Sequence, residues 1–394
     1  MLEKIKSISL IYSEKAIDIR RHIHSQPELS FKEIKTAKYI SEELDKIGIP
    51  YKSGVGGNGI VATLQSKNPN KRIIALRADF DALPIHEETN LRFSSVNTGV
   101  MHACGHDIHT SSLLMVAAVL KELIEDWEGT IHFVFQHAEE LVPGGAKLML
   151  EDNLFGNLQP ECVIAQHVDP DIKTGSFGFK SGRYMASNDE IYLKVSGNGG
   201  HAAMPHKIND TVLATSQILV SLQQISSRIV PASIPMVLSF GKVIADGATN
   251  VIPAEVRIEG TFRTFDEKWR KEAHGYIKSI SESTAKAYGT NCDVEIRHGY
   301  PVVENDSNLY NKAVNLVKET WGEDKLEYLD YRMTSEDFGF FTQKYNSLFY
   351  RLGVGYNETS NNYPLHSSKF NPNEEALKYA IEFMSSLAIK ILNE

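Results

Sequence analysis

Apolar and polar positions follow two periods along this chain. The opening stretch "MLEKIKSISLIYSEKAIDIRRHIHSQPELSF" breaks every apolar run with charge and reads as an amphipathic helix, not a secretory leader. Residues 32–48, "KEIKTAKYISEELDKIG", keep a helical period and stop at Gly48. "GIVATLQS" and "RIIALRADF" read as strands, the second almost wholly apolar and so central in a sheet. Residues 107–125 predict a largely buried helix. "GTIHFVFQ" predicts a strand, "GGAKLMLED" a helix and "ECVIAQHV" another strand. Alternating strands and helices imply an α/β domain: an open, mostly parallel sheet flanked by helices, with ligands at the carboxyl ends of its strands.

From about residue 186 the order changes. "DEIYLKVSG" reads as a strand and 209–229 as a helix capped by Asn209 or Asp210, with an apolar stripe of Ile208, Val212, Leu219, Leu222, Ile225 and Ile229. "PMVLSFGKV" and "EVRIEGTFRTF" are two strands. A helix stopping at Gly289 and the strand "CDVEIR" follow. This β-α-β-β-α-β succession is the ferredoxin-like order, a complete α+β domain at 186–298 inserted between 1–185 and 299–394. The α/β pattern resumes near Tyr300 and ends in a helix over 374–392.

Composition narrows the classes. A chain of 394 residues exceeds one typical core, which agrees with the two-domain pattern. A net charge of −9 and the lack of any basic cluster argue against a nucleic-acid partner. No stretch approaches the ~18 apolar residues of a membrane-spanning helix. Cys104, Cys162 and Cys292 lie too far apart in sequence to suggest a disulfide framework, so a cytoplasmic protein with no membrane association is expected.

Polar chemistry gathers where such a sheet would place a site. Cys104-Gly105-His106-Asp107 enters a helix, and Glu139-Glu140 follows the strand "HFVFQ". His167 ends "ECVIAQHV", His366 precedes the last helix, and Asp79 ends another strand. Thiolate, imidazole and carboxylate are metal donors, and five of them exceed one tetrahedral site. They suit two divalent ions sharing a bridging ligand, with positions open to water and substrate. One of the adjacent glutamates can bind metal while its neighbour faces the water as a general base. A Cys104 nucleophile at a helix start is the competing reading, but it does not call for the glutamates and distant histidines. Asp107 as a plain helix cap accounts for the first segment alone.

Seven stretches occur together in order: "LRADFDALP", "MHACGHDIHT", "FQHAEE", "GGHAAMPH", "TNVIPAEVRIEGTFRTF", "SEDFGFF" and "LHSSKF". On these the chain resembles the dinuclear-metal amidohydrolases and metallopeptidases of the aminoacylase/carboxypeptidase clan. More closely it resembles the branch of hippurate hydrolases, N-acetyldiaminopimelate deacetylases and auxin-conjugate hydrolases. The resemblance implies a catalytic domain with a ferredoxin-like lid that often also dimerises. It implies Cys104, His106, Glu140, His167 and His366 as metal ligands, Glu139 as general base and Asp79 as an orienting carboxylate. In the lid it implies His201 as the oxyanion donor, often reaching the partner subunit's site, and Asn250 and Arg263 as substrate contacts. Arg77 stands where many relatives have histidine. His137, Ile108, Ser368 and Asn371 also depart from the usual residues, the first two bearing on the acyl pocket. The activity expected is hydrolysis of an N-acyl amino acid by a homodimer or higher homo-oligomer holding two ions. Manganese or zinc is expected first, with nickel or cobalt compatible. Dipeptidase or carboxypeptidase action on the same metals, and a non-catalytic metal-dependent binding protein, are the alternatives.

Overall fold

A computed structural model describes residues 1–358 and 362–394. The chain begins α1 (Leu2–Ser25), α2 (Ile34–Ile47), β1 (Tyr51–Val55), β2 (Gly59–Gln65), β3 (Ile73–Asp79), α3 (His106–Glu122), β4 (Thr130–Gln136), α4 (Gly145–Glu151), β5 (Cys162–Lys173) and β6 (Phe177–Phe179). It continues β7 (Gly182–Met185), β8 (Ser187–Ser196), β9 (Gly200–His201), α5 (Thr211–Gln224), β10 (Met236–Ile244), β11 (Val251–Ile252), β12 (Glu255–Thr264), α6 (Glu267–Ala287), β13 (Asn291–His298) and β14 (Val303–Asn305). It closes with α7 (Ser307–Thr320), β15 (Leu326–Tyr328), α8 (Gly339–Thr342), β16 (Asn346–Gly355) and α9 (Ala376–Leu392).

Two compact units result. The first comprises Met1–Gly182, Glu304–Asp330 and Asp337–Glu394. Its eight-stranded sheet runs β1-β2-β4-β3-β5-β16-β6-β15. The four central strands β4, β3, β5 and β16 are mutually parallel, while β1, β2 and the β16–β6 pair introduce antiparallel joins. β3 is central and buried along nearly its whole length, as its apolar run requires. α3 is buried from His106 to Leu120 because "LLMVAAVL" leaves it no solvated face. It packs with α1 and α9, and both α3 and α9 lie on β3. α2 ends where Gly48 takes a left-handed φ of 76°, as predicted.

The second unit comprises Arg183–Val303 and Tyr331–Glu336. Its four-stranded antiparallel sheet has the order β10-β12-β8-β13, with α5 and α6 packed against it. Counting only these strands, the order is the ferredoxin-like 4-1-3-2. Asp210 caps α5 by accepting from the Leu213 N–H, and Asp266 caps α6 through Trp269. The predicted stripe on α5 is rotated. Its buried face is Thr211, Ala214, Thr215, Ile218 and Leu222, continuing into Ile225, whereas Val212 is 37% exposed. Small and hydroxyl residues fill the close contact, so hydrophobicity alone misplaces the face. Among the described residues, no helix is long and apolar enough to cross a membrane.

Candidate metal centre

Parallel register sets the ends of β3 and β4 side by side, Asp79 pairing with Gln136. His167 does not end its strand as predicted: β5 runs on to Lys173, and His167 lies mid-strand beside Arg351 of β16. This sheet edge is where an α/β fold places ligands.

Two glycine requirements fix the approach of α3. Gly105 has φ 81°, and a Cβ there would meet Val168 Cγ2 at 2.4 Å. The turn therefore needs glycine both for its conformation and for its contact with β5. It delivers His106 fully buried, with Nδ1 3.0 Å from the Asp81 carbonyl and 3.1 Å from Asp81 Oδ1. A carbonyl only accepts, so Nδ1 donates and Nε2 is left as the inward atom. That Nε2 has no hydrogen-bond partner, 3.8 Å from Asp79 Oδ2 and 3.9 Å from Glu140 Oε1. Burial alone would depress the His106 pKa, but Asp79, Asp81 and Glu140 overcome it and push it up to about 10. The surroundings thus favour positive charge at this point.

The remaining donors converge on the same place. Cys104 Sγ is 3.3 Å from His167 Nε2, while His167 Nδ1 donates to the Val168 carbonyl at 2.8 Å. Burial, Arg351 and His109 hold the His167 pKa well below its usual value, so the ring is neutral and ligand-ready. His366 takes a left-handed φ of 65°, and its N–H donates to the Ala103 carbonyl at 2.8 Å. Its Nε2 lies 3.3 Å from Glu140 Oε1, an oxygen that is buried without a well-formed hydrogen bond. Glu139 is 6% exposed, and its Oε1 lies 3.5 Å from the Asp337 N–H. Donor atoms of Cys104, His106 and His167 lie within 4.8 Å of one another, and so do those of Cys104, Glu140 and His366 and of His106, Glu139 and Glu140. Burial, with Glu140 and Glu139 nearby, raises the Cys104 pKa well above its usual value. A thiol so placed is a poor free nucleophile, whereas a bound cation would deprotonate it.

Beneath this cluster Asp79 and Arg77 join His109, Gln136 and Asp337 in a buried network that no local sequence pattern marks. Asp79 Oδ1 accepts from His109 Nδ1 at 2.5 Å, and Asp79 Oδ2 accepts from Arg77 Nη1 at 2.6 Å. His109 Nε2 accepts the Val168 N–H at 2.9 Å, which fixes its tautomer and ties β3, α3 and β5 together. Asp337 accepts from Arg77 Nη2 at 3.0 Å, from Gln136 Nε2 at 2.8 Å and from the Ala146 N–H at 3.0 Å. Arg77 thus serves as a buried anchor for Asp79 and Asp337. His109 and Asp81 lay within quoted stretches, but the only signal for them was proximity to residues already chosen. Asp107 is no helix cap: Gly105 holds that position, and Asp107 Oδ2 accepts from Arg20 Nε and His24 Nδ1 at 2.8 Å each.

Three predicted residues lie in the second unit. His201 is exposed on β9, paired with Val251 of β11, and its Nδ1 accepts the Ala203 N–H at 3.1 Å. The ring proton is therefore on the exposed Nε2. Asn250 is exposed, and its carbonyl accepts from Ala202 at 2.9 Å. Arg263 Nη1 donates to the Met333 carbonyl at 2.8 Å.

The donor set fits divalent metal: thiol, imidazole and carboxylate atoms aim at common points, and one of them, the buried His106 Nε2, has no hydrogen-bond partner. Residues 75–390 match the model of peptidase family M20/M25/M40. An N-acyl-L-amino acid amidohydrolase of Geobacillus stearothermophilus is 40% identical over 305 residues, covering 77% of this chain and 82% of that one. The hippurate hydrolase of Campylobacter jejuni is 37% identical over 376 residues, covering 95% and 96%. A solved Bacillus subtilis protein, described as a dinuclear metal binding peptidase from the M20 family, superposes with a TM-score of 0.83 at 31% identity, covering 97% and 99%. The fold and these relatives define a metal-dependent hydrolase of amide bonds. The chain belongs to peptidase family M20/M25/M40.

Proposed function

We propose that the chain hydrolyses the amide bond of N-acyl amino acids, with Cys104, His106, Glu140, His167 and His366 holding two divalent ions. The observation that carries this reading is the convergence of those donors beside Glu139, with Cys104, His106 and His167 buried, Glu140 half-buried and His366 exposed, and with His106 Nε2 lacking a hydrogen-bond partner. When bound, the ions would supply Lewis-acid polarisation of the amide carbonyl and of the attacking water. Glu139 takes the proton of that water and returns it to the leaving nitrogen, so the products are a carboxylic acid and a free amine. Its placement is supported by the Asp337 N–H, which faces Oε1. Asp79 holds His109 and, through Arg77, the floor of the cluster. His201 donates from Nε2 to the developing oxyanion, a role worth about 3–4 kcal/mol for one donor. The Ala203 N–H on Nδ1 supports the required tautomer. Asn250 and Arg263 bind the amino-acid portion of the substrate, Arg263 by a charge-assisted contact to its carboxylate. Thiolate ligation favours zinc, and availability decides among zinc, manganese, cobalt and nickel. The reading also places the enzyme in the cytoplasm, in keeping with three free cysteines.

A panel of hippurate, N-acetyl amino acids and dipeptides, assayed after chelation and after restoring each metal in turn, tests the proposal. Turnover of N-acyl amino acids that vanishes on chelation and returns with metal is the expected result. Dipeptide cleavage with no release of acyl groups would transfer the site to the peptidase reading.

A further inference from the structure

Glu33 precedes α2, in the stretch "FKEIKTA", and no part of the chemistry above uses it. It is fully buried, a costly place for a carboxylate, and burial pushes its pKa up to about 7. Its Oε1 accepts the Ala138 N–H at 2.8 Å, and its Oε2 accepts from Asn58 Nδ2 at 3.0 Å. Ala138 directly precedes Glu139 and has a left-handed φ of 50°, a conformation that a side chain with a Cβ adopts at a cost. Its carbonyl accepts the Gly145 N–H at 2.9 Å, so both peptide groups of this strained residue are held. On the other side of Glu139, the Glu140 N–H donates to Asp81 Oδ2 at 3.0 Å, and the same oxygen accepts from Ser30 Oγ at 2.7 Å. Two buried carboxylates, both reached from the 28–36 and 79–82 connections, therefore grip the backbone on either side of the glutamate.

We infer that Glu33 is a positioning residue for the general base: by holding the Ala138 N–H it keeps residue 138 left-handed, and so aims the Glu139 carboxylate at the site. The hydrogen bonds of the Glu33 carboxylate go to Asn58 and the Ala138 N–H, not to a metal donor. Its effect is on where Glu139 points. A merely structural carboxylate would act on stability alone. A misaimed base loses turnover while substrate binding persists, because small errors in placement are expensive in the chemical step. This inference rests on the reading of Glu139 as base.

The test compares Glu33→Ala with Glu33→Gln in the full-length chain, with and without added divalent metal. Glutamine keeps an oxygen for the Ala138 N–H, and Asn58 can turn its own amide to accept from the new NH2 group. Glu33→Ala should lower kcat by roughly 10–100-fold with KM and metal content little changed. It should also accelerate hydrogen exchange of the Ala138 amide, whereas Glu33→Gln should restore both. If Glu33→Ala does not fold, Glu33→Asp, one methylene too short to reach, takes its place with the same expectations. Loss of stability with kcat intact overturns the proposal. So does Ala138 exchange that stays as slow as in the parent, or a glutamine variant as impaired as the alanine. The exchange measurement needs no turnover. If Glu139→Gln proved fully active, the base reading would fall, while the exchange data would still report whether Glu33 holds residue 138.

Discussion

Glu139 and Glu140 are neighbours with different surroundings, and the difference sets what each can do. Glu140 Oε1 faces two imidazoles, His106 and His366, whereas Glu139 Oε1 faces a backbone N–H. Replacing Glu139 by glutamine should leave metal content unchanged and lower kcat by roughly 10²–10⁴-fold, as loss of a general base does. Metal analysis beside steady-state kinetics checks this, and near-normal turnover would remove Glu139 from the mechanism. Cys104 allows a chemical test. Its thiol should resist alkylation while metal is bound and react after chelation in mild denaturant, because its burial limits access. Cys104→Ala should weaken metal binding. Lost activity with metal retained in full would return Cys104 to the role of nucleophile.

At the scale of elements, the strands and helices that a single period describes were legible: β3, β4, β5 and α3 lie where the apolar runs placed them. What stayed hidden depends on tertiary pairing. Arg20 and His24 read as the polar side of an amphipathic helix, yet both are fully buried, bound to Asp107 at the start of α3. No local pattern announces a buried ion pair whose partner lies more than 80 residues away. The convergence of the site was legible because strand ends in a parallel sheet share an edge. The supports beneath it were not, since Asp337 and Gln136 look like ordinary polar residues until the fold joins them. The second unit has its own buried charge. Asp189 accepts from Arg270 at 2.6 and 2.9 Å and from His274 at 2.7 Å. Burial opposes its ionisation, but Arg270 and His274 prevail and hold its pKa at about 2. That is below the ~3.9 of an unfolded chain. Its stabilisation is therefore complete above about pH 4 and is lost as pH falls through about 2. Asp189→Asn should cost about 2–3 kcal/mol near neutral pH, with the gap to the parent closing in acid. Urea unfolding across pH reads this, and a gap independent of pH would refute it.

For the whole molecule, the second unit leaves apolar surface that its own fold does not cover. β10 is an edge strand of the four-stranded sheet, with Val243 and Ile244 exposed at 49% and 42%. α5 exposes Leu213 and Val220 at 54% and 66%. An edge strand beside an apolar helix face can pair with its own copy about a two-fold axis, which removes both liabilities together. The family resemblance adds that His201 serves the partner's site. If it does, a His201→Ala subunit and a Glu139→Gln subunit, each inactive alone, should complement one another when mixed. Each heterodimer would contain one site with both residues intact and one with neither. Random exchange of equal amounts should then restore about a quarter of the parent activity. Sedimentation must show a dimer under the assay conditions, and differently tagged subunits must be shown to exchange. A monomer at working concentration, or an exchanged mixture that stays inactive, would leave His201 acting within its own chain or not at all.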